Sequence, residues 1–291
     1  MAVNGVLNVG KPRGPTSFQV VRHVRRLTGE RRVGHGGTLD PLAEGVLPVL
    51  LGSATRLSRY LLDLPKTYRV EGRLGQATET YDAEGAVTLE GDFSGITLSG
   101  LRQALTAFEG AIQQVPPPYS AVKVGGRPAY ARARAGEAPR LKPRTVHIYR
   151  LALLDYRPPI FVLEVECSRG TYVRSLVHDL GLRLGCGAHV VRLVRLRVGP
   201  FGLEEAVPLE RLAQEWRERL LRPDAALAHL PAVGLDEAQA QAVRHGRPLF
   251  LPSAPAQAQR LRAHDAAGHL LAVLRKDATS GLWRPETVLA L

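Results

Sequence analysis

The sequence predicts an α+β fold with a mixed sheet, and three observations carry that expectation. Alternating apolar and polar residues mark half-buried strands, as where Tyr68, Val70, Gly72 and Leu74 interleave with Arg69, Glu71 and Arg73. Apolar residues at helical spacing mark helices between the strands, as at Val20, Val21, Val24 and Leu27. The two kinds follow one another without the regular alternation that an all-parallel sheet requires.

The first expected element is a short strand over residues 5–9. Thr16 or Ser17 then caps a helix that Gly29 ends. Asp40 follows a glycine-rich turn at 34, 36 and 37 and precedes Pro41, which suits the first position of a helix, so as a bare pattern Asp40 reads as the cap of a helix begun by Pro41. After the strand at 68–74, Ser99 begins a helix with Leu101, Leu105 and Phe108 on one face. Residues 116–146 turn rich in Pro, Gly and Arg, with a tight turn at Gly125-Gly126, and read as an exposed basic excursion. Strands at 146–155 and 161–166, a helix at 171–184 and a strand at 190–198 follow. A helix at 209–221 then leads to a hinge marked by Arg222-Pro223-Asp224 and Leu230-Pro231.

Charge points to a polyanionic partner. The 291 residues carry a formal charge of +12, of which +11 falls on residues 1–204 and +1 on the rest. Arginine clusters at 22, 25, 26, 31 and 32, at 127, 132, 134, 140 and 144 with Lys142, and at 192, 195 and 197 suit a phosphate backbone, though some such clusters are only solvated faces. Two cysteines, Cys167 and Cys186, and nine scattered histidines offer neither a disulfide framework nor zinc-ligand spacing. No apolar run reaches the ~18 residues of a membrane span, and the first residues lack a secretory pattern, so a cytoplasmic location is expected.

The string from Gly34 to Pro48, with Asp40 at its centre, resembles the catalytic motif of the TruB family of tRNA pseudouridine synthases. Other segments resemble family motifs in the same order: Lys11-Pro12, Lys66 to Val70, Arg73 to Gln76, Thr80 to Gly85, Pro117 to Lys123, Cys167 to Arg174, and Gly185 to Val190. The likeness runs from about residue 4 to about residue 200. One departure is Gly36, where the family commonly has threonine; it puts a local hydrogen bond in doubt and leaves the carboxylate in place.

The resemblance implies a pseudouridine synthase fold with a mainly antiparallel central sheet, an RNA-clamping excursion at 116–147, and a catalytic domain over 1–230. Residues 231–291 resemble a PUA domain, a small RNA-binding β-barrel, chiefly by position and by His245-Gly246. It also implies isomerisation of uridine 55 in the T loop of tRNA, without a guide RNA or obligatory protein partner. The reaction moves the C1′ bond from N1 to C5 of uracil and consumes nothing, so no cofactor is expected.

By the same resemblance Asp40 is the catalytic carboxylate, acting on C1′ or C6 or as a base. Arg174 pairs with it, which would keep a desolvated carboxylate ionised. Tyr68 lies against the target base, Tyr172 and Leu193 line it, and His35 takes up space vacated in the RNA when the base is extruded. Lys11, Asp82 and Lys123 fall around substrate and RNA, and Arg127 and Arg195 belong to the basic clusters. Without the resemblance, Tyr68 and Leu193 would read as core, and His35 and Arg174 as ordinary structural or surface residues. Two rival readings use the same basic surface: an RNA chaperone that helps tRNA fold, and a nonspecific DNA-binding protein.

Overall fold

The computed structural model describes residues 3–137 and 141–289, so Arg140 of the basic excursion lies outside the described residues. β1 (Gly5–Lys11) leads to α1 (Ser17–Thr28), whose start is fixed locally. Thr16 accepts from the Gln19 amide while the Gln19 side chain accepts from the Thr16 amide, and Gly29 closes the far end with φ 70°. Next come β2 (Val33–His35), β3 (Glu44–Leu51), α2 (Ser58–Leu62), β4 (Lys66–Leu74), β5 (Gln76–Thr78), β6 (Val87–Glu90), α3 (Leu98–Leu105) and β7 (Gly110–Gln114). The basic excursion holds a hairpin of β8 (Lys123–Val124) and β9 (Arg127–Pro128), followed by α4 (Ala129–Arg134). Gly125 and Gly126 both have positive φ, 58° and 82°, as the tight turn between two such strands demands. β10 (Arg144–Arg157), β11 (Ile160–Cys167), α5 (Val173–Arg183) and β12 (Ala188–Val198) follow. The remainder comprises β13 (Phe201–Gly202), β14 (Val207–Pro208), α6 (Leu212–Glu215), β15 (Ala232–Gly234), α7 (Glu237–Arg244), β16 (Arg260–His264), β17 (Leu270–Lys276) and β18 (Trp283–Val288).

The chain divides into two compact units: one takes residues up to 41, 45–63 and those from 198 onward, and the other takes 42–44 and 64–197. In the first, β1 pairs antiparallel with β3 from Gly5↔Leu51 to Lys11↔Gly45, and parallel with β14 at Val9↔Val207. β2 lies antiparallel on β3. Both faces of β1 and β3 are covered, which is why they read as almost unbroken apolar runs. A four-stranded sheet, β15-β16-β17-β18, has its own core of Leu235, Val243, Leu261, Leu271, Leu274 and Trp283. It is tied to α2 and the turn before it: Tyr60 meets Thr287 at 2.8 Å and Glu286 at 3.1 Å, and Arg56 donates to the Val288 carbonyl at 2.6 Å, while within the sheet Arg260 holds Glu286 at 2.8 Å.

In the second unit β12, β4, β11, β10 and β7 lie side by side, and β4, β11, β10 and β7 pair antiparallel. β4 shows the expected alternation, with Val70, Gly72 and Leu74 buried and Arg69 and Arg73 exposed. The fold is therefore α+β with a mixed, mainly antiparallel sheet. Two expected elements differ. Pro41 opens a two-residue turn that leads through Ala43 into β3, so there is no helix for Asp40 to cap. The helix expected at 209–221 shrinks to the four residues of α6 with turns around it. Leu221 exchanges two main-chain hydrogen bonds of 2.9 Å with Val6, which requires the chain to be extended by that point.

Candidate active site

Asp40 stands on a loop held on both sides by groups from the first unit. On one side, Ser17 donates its hydroxyl to the Leu39 carbonyl at 3.0 Å and accepts from the Leu39 amide at 2.8 Å. On the other, the Pro41 carbonyl accepts from the Gly14 amide at 2.8 Å and from Lys11 Nζ at 3.3 Å. A carboxylate between two clamped peptides has little backbone freedom, which is what preorganised chemistry needs. Asp40 itself is half-buried. His35, half-buried at the end of β2, accepts at Nδ1 from the Gly37 amide at 3.3 Å, and the Gly36 amide donates to the Pro48 carbonyl at 2.8 Å. A side chain at Gly36 would crowd Leu61, because a Cβ there would lie 2.7 Å from Leu61 Cδ1 and 3.0 Å from Leu61 Cβ.

The second unit gathers the other residues. Tyr68 is half-buried on β4, and Leu193, 5% exposed, lies on the neighbouring β12. Gln114 fixes Tyr172 through a two-way amide contact: its Oε1 accepts from the Tyr172 amide at 2.8 Å and its Nε2 donates to the Tyr172 carbonyl at 3.1 Å. The Arg144 guanidinium lies 5.9 Å from the centre of the Tyr172 ring. Arg174, in the first turn of α5, is 4% exposed and has a carboxylate partner that the sequence did not name, Asp82, at 3.1 Å. It also donates to the carbonyls of Thr80 at 2.8 Å and Tyr119 at 3.0 Å. One guanidinium thus joins α5, the loop before β6 and the base of the basic excursion.

Three of the five residues expected around substrate and RNA are buried. Lys11 is 1% exposed, and its ammonium donates to the carbonyls of Pro12, Pro15 and Pro41. Those bonds shape the loop beside Asp40. Asp82, 2% exposed, accepts from the Thr80 hydroxyl at 2.6 Å and the Glu84 amide at 3.1 Å besides pairing with Arg174. Arg195 is 1% exposed, packed inside the protein. Lys123 and Arg127 are exposed on the β8–β9 hairpin, as an RNA contact requires. Ser17, Gln114 and the Tyr119 carbonyl escaped the sequence reading. Ser17 was legible only as a cap, and nothing local marks Gln114 or a main-chain oxygen. Among the described residues no cluster of three His, Cys, Asp or Glu is placed to hold a metal ion, and no helix is long and apolar enough to cross a membrane.

The family models and the relatives that match the chain make it an isomerase of the pseudouridine synthase class. The chain belongs to the TruB family: the model for the N-terminal domain of TruB family pseudouridylate synthases matches residues 25–173. Models for the tRNA pseudouridylate synthase B C-terminal domain and for the C-terminal part of tRNA pseudouridine synthase II match 174–230 and 230–290. Among relatives, tRNA pseudouridine synthase B of Pseudomonas aeruginosa (strain UCBPP-PA14) is 45% identical over 94% of this chain and 91% of its own. That of Symbiobacterium thermophilum is 51% identical over 84% of this chain and 82% of its own. Among solved structures, a chain of an H/ACA RNP bound to a substrate RNA containing 2′-deoxyuridine superposes with a TM-score of 0.76 at 28% identity, covering 99% of this chain and 85% of that one. A chain of a Cbf5-Nop10-Gar1 complex gives 0.76 at 30%, covering 98% and 85%.

Proposed function

We propose that this protein converts uridine 55 in the T loop of tRNA to pseudouridine in the cytoplasm, with Asp40 as the catalytic residue and no guide RNA or protein partner. The observation that carries the assignment is the loop around Asp40. A carboxylate that caps no helix, yet sits between two peptides pinned by Ser17, Lys11 and Gly14, is held for a purpose other than folding. The support for tRNA as substrate is the family and the names of the relatives.

In this reading Asp40 attacks C1′ or C6 of the target nucleotide, or removes a sugar proton, and the base is released, turned and rejoined through C5. Tyr68, Tyr172 and Leu193 hold the uracil, and Arg174 supplies fixed positive charge to the site. His35 meets the RNA where the extruded base has left a gap, since unstacking costs a few kcal/mol that protein contacts offset. Lys123 and Arg127 take phosphates, and residues 231–291 act as a PUA-like domain after a catalytic domain over 1–230.

The test uses a T-loop transcript tritiated at uracil C5, with neither guide RNA nor added metal. Wild-type protein is expected to release tritium, while Asp40→Asn releases none and keeps its tRNA affinity within a few-fold. Turnover by Asp40→Asn would remove Asp40 from the mechanism. Tight tRNA binding without release by the wild type would favour the chaperone reading.

A further inference from the structure

Among the described residues, Tyr81 is the one non-glycine residue with a left-handed backbone, at φ 63°. An L side chain is disfavoured there, and such a conformation persists only where its surroundings over-determine it. Those surroundings are specific. The Tyr81 carbonyl accepts from the Val190 amide at 3.1 Å, and the Ala83 amide donates to the Val190 carbonyl at 2.9 Å, so the turn is bonded to β12 on both sides. The Tyr81 ring lies flat on His178, with centroids 3.7 Å apart and planes 9° apart.

His178 is four residues after Arg174 on α5, so the two side chains share a helix face. Arg174 grips Thr80 and Asp82, and His178 grips Tyr81 between them. In extended backbone, neighbouring side chains point to opposite sides, yet Tyr81 and Asp82 both meet α5. The left-handed turn at Tyr81 makes that possible. Hydrogen bonding does not explain His178: its Nδ1 is buried without a partner among the described residues, and burial lowers its pKa, favouring a neutral ring suited to stacking.

We propose that Tyr81 and His178 are positioning residues for the isomerisation. Their stack sets the angle at which the loop presents Asp82 to Arg174, and through the Tyr119 carbonyl it fixes the base of the basic excursion. The inference rests on the function proposed above.

The test compares His178→Ala, His178→Phe and Tyr81→Gly in the tritium assay at saturating and limiting tRNA. His178→Ala is expected to lower kcat by about 10- to 100-fold, the scale of an ångström-sized misplacement, with KM changed by less than about 3-fold. His178→Phe, which keeps a flat ring, restores most of that loss. Tyr81→Gly relieves the backbone but removes the ring, and it is expected to lose turnover as His178→Ala does. Wild-type kcat in His178→Ala, or no rescue by phenylalanine, overturns the inference while leaving the proposed function intact. Amide exchange over residues 78–85 decides the matter independently of turnover. Faster exchange in His178→Ala than in His178→Phe supports the positioning role, and equal exchange sinks it even if the wild type proves inactive.

Discussion

Gly36→Thr places the residue common in the family into space that Leu61 already fills. A Cβ at position 36 would meet Leu61 Cδ1 at 2.7 Å, Cβ at 3.0 Å and Cγ at 3.4 Å, and Leu61 is fully buried. The end of the leucine can rotate, but its Cβ is fixed to α2, so relief requires the helix or the loop to shift. Overpacking of this kind costs about 1–3 kcal/mol. At roughly 2 °C per kcal/mol for a chain of this length, the Tm should fall by about 2–6 °C. Leu61→Ala alone leaves a hole and costs about 2–5 kcal/mol. In the double variant threonine enters the vacated space, and the combined loss should fall short of the sum by about 1 kcal/mol or more, within the range found for contacting residues. Thermal unfolding of the four proteins, followed by calorimetry, reads the cycle directly. Additivity within about 0.5 kcal/mol, or a Gly36→Thr protein as stable as the wild type, would refute the claim that Leu61 replaces a side chain at position 36.

Lys11→Met keeps most of the side chain's length and removes its donors, leaving the Pro12 and Pro15 carbonyls without their lysine partner. The expected cost is about 2–4 kcal/mol of stability with tRNA affinity nearly unchanged, and a tenfold loss of affinity at constant Tm would return Lys11 to the RNA. Burial raises the Asp179 carboxyl from 3.8 to about 6, so the native state holds a proton that the unfolded chain has released between those values. Stability therefore falls as pH rises through that window, and the loss persists above it. Asp179→Asn should be more stable than the wild type at pH 7.5, with the advantage largely gone by pH 3.5; an advantage equal at both pH values would contradict the assignment.

What the sequence made legible was local. The cap at Thr16, the stop at Gly29 and the turn at Gly125-Gly126 depend on a few adjacent residues, and each forms as expected. Pro41 misled because a fixed φ near −65° suits a turn as well as a helix start, and the choice is made by β3 pairing with β1. The helix after Pro208 was cut short by a partner more than 200 residues away, Val6. Motif likeness marked Lys11, Asp82 and Arg195 without indicating whether each side chain faces RNA or the protein's own interior. For Lys11 the deciding partners are three carbonyls, which carry no sequence signature. For Asp82 it is Arg174, 92 positions on.

The pairing of β1 with β14 also sets an order of events during synthesis. Val9 meets Val207 across 198 residues, and α2 meets Glu286 and Thr287 later still. At roughly 5–20 residues per second, the first strand waits about 10–40 s for its parallel neighbour to be made. The strands of the second unit are complete in the meantime, since β4 to β12 are consecutive in the chain. The loop carrying Asp40 and the strand β1 are made early, but the parallel neighbour of β1 follows only after every strand of the second unit.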